Sequence, residues 1–233
     1  MPASSGFPAG SRERRAVRRW TTCAAIAGAR CIGIVRAASA AEAAAVGKAL
    51  IDGGLPIVEV AYTTPGASAA ITVLRSERPE ATVGAGTVLD GAAAFAAIDA
   101  GAQFLVSPVV AEEVLRAGHR YGVAVLPGAA TPTEMNRAME LGADMVKLFP
   151  SGSLGPEFMR SVAAAMPQVP FVPTGGVTAD NVLDWLASGA VAVGIGGSLT
   201  RGDPAGIRGR AEQLAARLLL VPGSRPAAGS RLM

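Results

Sequence analysis

The sequence repeats one local plan along most of its length: a helix-forming stretch ends at a Gly or Pro, and a short, nearly continuous apolar run follows at once. Runs that are apolar on both faces are typical of parallel strands covered by helices, because strands with one solvated face alternate apolar and polar residues. Eight such runs occur: CIGIVRA, GGLPIVEVAY, RPEATVGAG, AGAQFLVSP, YGVAVLPG, LGADMVKLFP, MPQVPFVPTGG and SGAVAVGIGG. The stretches between them are rich in helix formers and carry Ser, Asp or Thr near their starts.

Eight strand–helix units, spaced by about 20 to 24 residues, predict an α/β fold of the (βα)8 TIM-barrel type. A doubly wound sheet usually has fewer strands and a nucleotide-binding loop after its first strand, and the sequence contains neither GxGxxG nor GxxxxGK. We expect residues 12–220 to form this barrel as a single domain with an N-terminal capping helix. Residues 1–11 and 221–233 are expected to be a flexible N-terminus and a flexible tail.

Basic residues cluster before the first predicted strand, although the net charge is only +3. The cluster contains Arg14, Arg15, Arg18 and Arg19. It could form an arm that binds nucleic acid or a membrane surface, or the charged face of the capping helix. We favour the helix and expect no nucleic-acid or membrane partner, since aromatic residues are only 4% of the chain and offer little surface for stacking bases.

The apolar runs are too short to span a membrane, which needs about 20 consecutive apolar residues. The run CAAIAGARCIGIV resembles an export signal, but Arg30 interrupts it and its end is needed as the first strand. Cys23 and Cys31 lie in apolar surroundings and are interpreted as small core residues rather than a disulfide. These features predict a cytoplasmic protein.

Three charged residues lie at the ends of apolar strands: Arg36, Glu59 and Lys147. A charge buried in such a strand costs several kcal/mol unless it is paired or neutralised. On a barrel, catalytic groups come from the carboxyl ends of the strands, which is where these residues are predicted to lie. They therefore form either a catalytic cluster, which we favour, or a buried ion-pair network that only holds the barrel together.

Lys147 stands out because the chain has two lysines against 19 arginines. Lys48 lies on a predicted solvated helix face, whereas Lys147 lies within a strand. A buried lysine near a second cation can supply a free amine that attacks a ketone, which a guanidinium cannot do. Glu59 could move the protons that such an imine-forming reaction requires. His119, the single histidine, is predicted to be a surface residue of a helix.

Glycines follow the last two predicted strands, where barrels commonly bind phosphate. Gly175 and Gly176 follow the seventh strand, and Gly196, Gly197 and Ser198 follow the eighth. Their backbone N–H groups could approach an anion closely, although tight turns alone would also explain them. A metal site is not expected, since one histidine and two cysteines with apolar neighbours do not make a ligand cluster.

Seven segments together resemble the family of 2-keto-3-deoxy-6-phosphogluconate (KDPG) and 4-hydroxy-2-oxoglutarate (KHG) aldolases, which includes the 6-phosphogalactonate aldolases. These segments are IVEVAYTTPGA, VGAGTVLD, GAQFLVSP, LPGAATPTE, VKLFPSGSLGP, PTGGV and GIGGSL. The resemblance implies that Lys147 is the Schiff-base lysine and Glu59 the general acid/base. It also implies that Thr87 and Pro108 line a pyruvate pocket, and that the glycines and Ser198 bind phosphate.

One position departs from part of the family. Some members have an arginine four residues after the glutamate, whereas this chain has Thr63 there. Other members resemble this chain in having Thr or Asn at that position and an arginine at the end of the first strand, which is Arg36 here. We therefore expect Arg36 to bind the substrate carboxylate, with Thr63 as its hydrogen-bonding partner.

The resemblance implies a metal-independent lyase without a cofactor. Its substrate would be a phosphorylated 2-keto-3-deoxy sugar acid, cleaved to pyruvate and glyceraldehyde 3-phosphate, and its assembly a homotrimer. The same enzyme could also cleave 4-hydroxy-2-oxoglutarate to pyruvate and glyoxylate. The sequence leaves three alternatives: the phosphogalactonate epimer as substrate, another phosphate-binding barrel enzyme such as an isomerase or a synthase, and a non-catalytic barrel that binds sugar phosphates.

Overall fold

The computed structural model describes residues 11–220, with side chains from Arg19 onward, and strands and helices alternate along them. The helices are α1 (Ser11–Ala29), α2 (Ala40–Asp52), α3 (Ala67–Glu77), α4 (Gly91–Asp99), α5 (Glu112–Tyr121), α6 (Pro132–Glu140), α7 (Ser151–Ala165), α8 (Val182–Ala187), α9 (Gly197–Thr200) and α10 (Pro204–Leu219). The strands are β1 (Cys31–Val35), β2 (Ile57–Ala61), β3 (Thr82–Gly86), β4 (Phe104–Val106), β5 (Ala124–Leu126), β6 (Gly128–Ala129), β7 (Val146–Leu148), β8 (Phe171–Pro173) and β9 (Val193–Ile195).

The pairing between the strands is parallel. Six strands form one sheet in the order β5-β4-β3-β2-β1-β9, and three form another in the order β6-β7-β8. Each of the eight predicted strands is present, but the fifth is split into β5 and β6 at Pro127, which has no backbone N–H to donate. Backbone contacts also join the two sheets: Lys147 N donates to Pro127 O (2.9 Å), and Thr174 forms a parallel bridge with Gly194. The chain therefore has an α/β fold built on a parallel sheet.

Polar residues predicted near helix starts cap three of the helices. Each side chain accepts a hydrogen bond from a backbone N–H of the first turn, which would otherwise have no partner. These residues are Ser39 before α2, Asp90 before α4 and Thr131 before α6.

The two faces of the strands bury different residues, because successive side chains point to opposite faces. One face packs against the helices. The other forms a second apolar group, which we call the interior cluster: Ile26, Ile32, Ile57, Phe104, Val106, Ala124, Leu126, Met145, Val172 and Ala192. Glu59 and Lys147 lie two residues after the cluster members Ile57 and Met145. Both charged residues therefore share the interior face, one layer nearer the carboxyl ends of the strands.

Helix α1 packs against the amino-terminal end of the interior cluster, where its Ile26 is fully buried. Arg19 Nε donates to Asp144 Oδ1 (2.6 Å), and its Nη2 donates to Gly142 O (3.0 Å). Arg19 is thus bound to the chain itself, as the interpretation of a capping helix requires. The other three arginines of the basic cluster lie outside the described side chains.

The prediction that His119 is a surface residue is wrong, because its side chain is half-buried beside α1. His119 Nε2 lies 2.9 Å from Gly142 O and 3.3 Å from Arg19 Nη2. A histidine in a helix and an arginine about 100 positions earlier meet here only through the tertiary fold.

Both cysteines are free, as expected for core residues. Burial raises the pKa of the Cys31 thiol to about 12, and burial beside Asp144 has the same effect on Cys23.

The predicted flexible ends, 1–11 and 221–233, lie outside the described residues except for Ser11, where α1 begins. Within residues 11–220, no helix is long and apolar enough to cross a membrane.

Strand β3 contains a glycine on the interior face that makes room for an aromatic ring of β4. A Cβ atom added to Gly84 would lie 2.5 Å from three atoms of the fully buried Phe104 ring. Gly209 in α10 is the opposite case, since a Cβ atom there would meet no atom within 4 Å.

We expect Gly84→Ala to lower the free energy of unfolding by about 1–3 kcal/mol, because the Phe104 ring would have to leave its packed position. Gly209→Ala should instead raise it by about 0.5–1 kcal/mol, since alanine restricts the unfolded chain and favours the helix. Urea denaturation measures both variants. A Gly84→Ala protein as stable as the parent would show that the Phe104 ring is free to move.

Candidate active site

A cavity of about 450 Å³ opens at the carboxyl ends of the strands. The structure brings ten of the eleven predicted site residues to its wall: Arg36, Glu59, Thr87, Pro108, Lys147, Gly175, Gly176, Gly196, Gly197 and Ser198. The eleventh, Thr63, does not line the cavity but contacts Arg36, which does. Residues that are up to 162 positions apart in the sequence therefore surround one space.

Lys147 lies at the centre of β7, opposite Gly128 of β6 and Val172 of β8. Its side chain is buried, and Nζ lies 4.8 Å from the centroid of the Phe149 ring. No carboxylate oxygen of the described residues lies within 4.0 Å of Nζ. The amine thus ends in the cavity with an aromatic face beside it, rather than in a close ion pair that only supports the fold.

Glu59 lies in the middle of β2, and its carboxyl group rests over the backbone of Gly86 in β3. A Cβ atom added to Gly86 would lie 1.7 Å from Glu59 Oε1. Only a glycine therefore leaves room for the carboxyl group in this position. The side chain of Glu59 is 2% exposed, so water reaches it almost only through the cavity.

The environment of Glu59 perturbs its ionisation in two opposing ways. Burial raises the pKa of the carboxyl group above its ordinary value, because the charged form loses its hydration. The nearby positive charges of Lys147 and Arg36 lower the pKa, but by less than burial raises it. Glu59 therefore holds its proton more strongly than an exposed glutamate, which suits a residue that must both donate and accept protons.

Arg36 directly follows β1, and Thr63 follows the neighbouring strand β2. Arg36 Nε donates to Thr63 Oγ1 at 2.9 Å. The pairing of the two strands places Ile34 opposite Glu59, so the residues that follow the strands meet at the same edge of the cavity. The expected partnership between Arg36 and Thr63 is present, and it fixes the direction of the guanidinium group.

Thr87 and Pro108 lie at the ends of β3 and β4. Thr87 has a φ of +57°, in the left-handed region that β-branched residues rarely adopt. Backbone strain of this kind costs about 1–3 kcal/mol and is concentrated at functional sites. Pro108 is packed closely, since a Cβ atom added to Gly128 would lie 2.4 Å from its carbonyl. Both residues line the cavity together with Glu59 and Lys147.

The glycine loop after β8 is tied down from two sides. Gly175 and Gly176 both have positive φ, +83° and +89°, which glycine adopts without strain. Ser151 Oγ donates to Gly175 O (2.9 Å), and Asn181 Nδ2 donates to Gly176 O (3.0 Å). These bonds use the carbonyl groups, whereas no described residue accepts a hydrogen bond from the backbone N–H of Gly176, Gly197 or Ser198. The free N–H groups leave donors for an anion.

Sequence reasoning did not assign several residues that build the site. Phe149 and Arg201 line the cavity, and Asn181 fixes the glycine loop. Phe149 lies in the segment VKLFPSGSLGP and Asn181 lies four residues after PTGGV, but their partners in the site are distant in sequence. Arg201 lies two residues beyond the segment GIGGSL.

Residues 23–206 match the family described as KDPG and KHG aldolase. The chain belongs to this family. It is 36% identical to a 2-dehydro-3-deoxy-6-phosphogalactonate aldolase of Escherichia coli over 172 residues, which are 73% of this chain and 84% of the relative. It is also 40% identical to a 2-dehydro-3-deoxy-phosphogluconate aldolase of Treponema pallidum over 159 residues, 68% of this chain and 76% of the relative.

The solved structure of one relative contains a covalent reaction intermediate. The KDPG aldolase of Legionella pneumophila, crystallised with pyruvate as a covalent carbinolamine intermediate at low pH, superimposes with a TM-score of 0.77 and 27% identity. The match covers 83% of this chain and 97% of that one. Within the part of the chain that is described here, no group of three or more His, Cys, Asp or Glu side chains could hold a metal ion.

The raised pKa of Glu59 predicts a stability that depends on pH. Between the unfolded value near 4.5 and the higher folded value, the folded chain binds more protons than the unfolded chain, so the stability that Glu59 contributes falls as pH rises. The glutamine of the Glu59→Gln variant does not ionise, so the variant does not lose stability in this way as pH rises. The stability of the variant relative to the parent should therefore increase from pH 4.5 upward, by about 1.4 kcal/mol for each unit by which the pKa is raised.

Urea denaturation of both proteins at several pH values from 4.5 to 8 measures this difference. Other titrating groups are common to the two proteins and cancel in the comparison. A difference that stays constant across the range would mean that the folded protein does not perturb Glu59.

Proposed function

We propose that this protein is a class I aldolase that cleaves 2-keto-3-deoxy-6-phosphogluconate to pyruvate and glyceraldehyde 3-phosphate without a metal or cofactor. The observation that carries the proposal is the pair of buried groups on one interior face, an amine with no carboxylate oxygen of the described residues within 4.0 Å and a carboxyl group whose pKa is raised by burial. Membership of the family and the names of the relatives support the substrate class. Glu59 and Lys147 are the catalytic residues of the proposal.

In the first step, the free amine of Lys147 adds to the C2 carbonyl of the substrate and gives a carbinolamine. Glu59 donates its proton to the carbinolamine hydroxyl, water leaves, and a protonated imine forms. The carbinolamine captured in the Legionella relative supports this step. The imine carries the positive charge that withdraws electrons from C3.

In the second step, the ionised Glu59 accepts the proton of the C4 hydroxyl through a water molecule. The C3–C4 bond breaks, its electron pair moves into the imine, and glyceraldehyde 3-phosphate leaves an enamine on Lys147. Protonation of C3 and hydrolysis of the imine then release pyruvate and restore the amine. Because Glu59 alternately gives and takes a proton, a pKa raised toward the working pH serves both halves of the cycle.

The remaining predicted site residues hold the ends of the substrate. In the proposal Arg36, oriented by Thr63, binds the C1 carboxylate, and Thr87 and Pro108 enclose the pyruvate part. The backbone N–H groups of the loops at 175–176 and 196–198 bind the phosphate. Support comes from their common place around the cavity and from the free N–H groups of Gly176, Gly197 and Ser198.

The same proposal extends to the architecture. Residues 12–220 form one domain, a (βα)8 barrel closed between β8 and β9 and capped by α1. The bridge between Thr174 and Gly194 and the hydrogen bond from Lys147 N to Pro127 O support closure.

We also propose a homotrimer in the cytoplasm. Leu89, Phe95 and Val109 are more than half exposed, as an interface would require. Free cysteines fit a reducing compartment.

The phosphogalactonate epimer is the second candidate substrate. It is favoured by the Escherichia coli relative named for that activity, which aligns over 84% of its length. The two candidates differ only in the configuration at C4. Pyruvate release measured on both epimers and on 4-hydroxy-2-oxoglutarate ranks the three substrates directly.

We expect borohydride reduction in the presence of pyruvate to add one covalent adduct, located at Lys147 by peptide mass mapping. Lys147→Arg should give no adduct and no pyruvate release, because a guanidinium keeps the charge but has no free amine. Lys48→Arg is the matched control, since Lys48 is paired with Glu77 on the surface (2.9 Å). An adduct at Lys48, or turnover by Lys147→Arg, would exclude the imine mechanism and leave the isomerase, synthase and binding-protein alternatives.

We expect Arg36→Ala to raise KM for the sugar acid, and the pyruvate concentration needed for half-maximal trapping, by about 10- to 100-fold, because both ligands carry the carboxylate. Thr63→Val, which keeps Arg36 but removes its partner, should have a smaller effect in the same direction. If Arg36→Ala left both quantities unchanged, the carboxylate would be bound elsewhere, for example by backbone N–H groups near Thr87 and Pro108.

A further inference from the structure

Arg201 lines the same cavity as Arg36 and directly follows α9. Its guanidinium packs over the backbone of Gly197: a Cβ atom added there would lie 3.7 Å from Arg201 Nε and 3.9 Å from Nη2. Gly197 is one of the residues whose backbone N–H has no acceptor in the described chain. A cation and unused backbone donors therefore lie side by side on the cavity wall.

The side chain of Arg201 makes no hydrogen bond or ion pair with any described residue. The other arginine of the cavity wall, Arg36, is held by Thr63. Asp203, the carboxylate nearest to Arg201 in sequence, instead caps α10 by accepting a hydrogen bond from Gly206 N (3.0 Å). The charge of Arg201 is thus available to a ligand.

The backbone that carries Arg201 is fixed from α10. Arg210 Nε donates to Leu199 O (3.1 Å), and Arg210 Nη2 donates to Arg201 O. These two bonds attach α10 to the backbone of α9 at Leu199 and to the backbone of Arg201 itself. The position of the Arg201 backbone is therefore fixed, while its guanidinium remains free to move toward a ligand.

We propose that Arg201 binds the phosphate group of the substrate and makes the enzyme prefer phosphorylated over unphosphorylated 2-keto-3-deoxy acids. This inference rests on the proposed function. A phosphate ester carries close to two negative charges, which neutral N–H groups alone balance poorly, and an arginine can offer it two parallel hydrogen bonds. Arg36 then serves the carboxylate at one end of the substrate and Arg201 the phosphate at the other.

The test compares KDPG with its unphosphorylated counterpart, 2-keto-3-deoxygluconate, as substrates of the parent protein and Arg201→Ala. We expect the variant to raise KM for KDPG by about 10- to 100-fold while leaving kcat, and KM for the unphosphorylated acid, within about two-fold of the parent values. Arg208→Ala is the matched control: it removes the same charge from the neighbouring helix α10, where Arg208 is paired with Glu212 (2.8 Å), and should change neither substrate.

Unchanged KM for KDPG in Arg201→Ala would overturn the proposal, as would an equal loss on both substrates, since a merely structural role affects both. Calorimetric titration with glycerol 3-phosphate separates this proposal from the proposed function. If the parent cleaves no keto acid but binds glycerol 3-phosphate and Arg201→Ala does not, the phosphate site stands and the aldolase function falls. If the parent cleaves KDPG and both proteins bind glycerol 3-phosphate equally, the aldolase function stands and the role of Arg201 falls.

Discussion

Two ionisable side chains, the carboxyl group of Glu59 and the amine of Lys147, are buried on the interior face of a sheet whose other interior residues are mostly apolar. Burial of charge is costly, and a close ion pair would be the simplest compensation. Among the described residues no such pair lies within 4.0 Å of Lys147 Nζ, and burial instead raises the pKa of the Glu59 carboxyl group. The two groups are near enough for Lys147 to lower the pKa of Glu59, yet they form no ion pair, and in the proposed function the substrate binds between them.

This arrangement depends on glycines in a strand where glycine is otherwise unfavourable. Gly84 and Gly86 alternate along β3 on the interior face, and each faces a large neighbour: the Phe104 ring below and the Glu59 carboxyl group above. Glycine weakens a strand, because it loses more conformational freedom on folding and contributes no side chain to packing. Here the two glycines make the space in which the apolar interior and the reactive layer above it can be packed.

Much of the fold and of the site could be predicted from the sequence because the evidence for them is local. An apolar run after a glycine or a proline marks most of the strands, and a lone lysine in such a run marks Lys147. The structure corrects what depends on distant contacts: His119 is half-buried by Arg19, and the fifth strand is split at Pro127. Arg201 follows no strand and belongs to no motif, so only its place on the cavity wall distinguishes it from the other arginines.

The two arginines of the cavity wall are held differently, and the difference suits the chemistry proposed for each. Arg36 is held by Thr63, whereas Arg201 has a fixed backbone and a free guanidinium. In the proposed reaction the carboxylate is attached to the carbon that Lys147 attacks, so its position sets the attack geometry, and small errors there are costly in rate. The phosphate lies far from the C3–C4 bond. A mobile cation can bind it and supply binding energy without constraining the reacting atoms, and it can also follow the phosphate as the aldehyde product leaves.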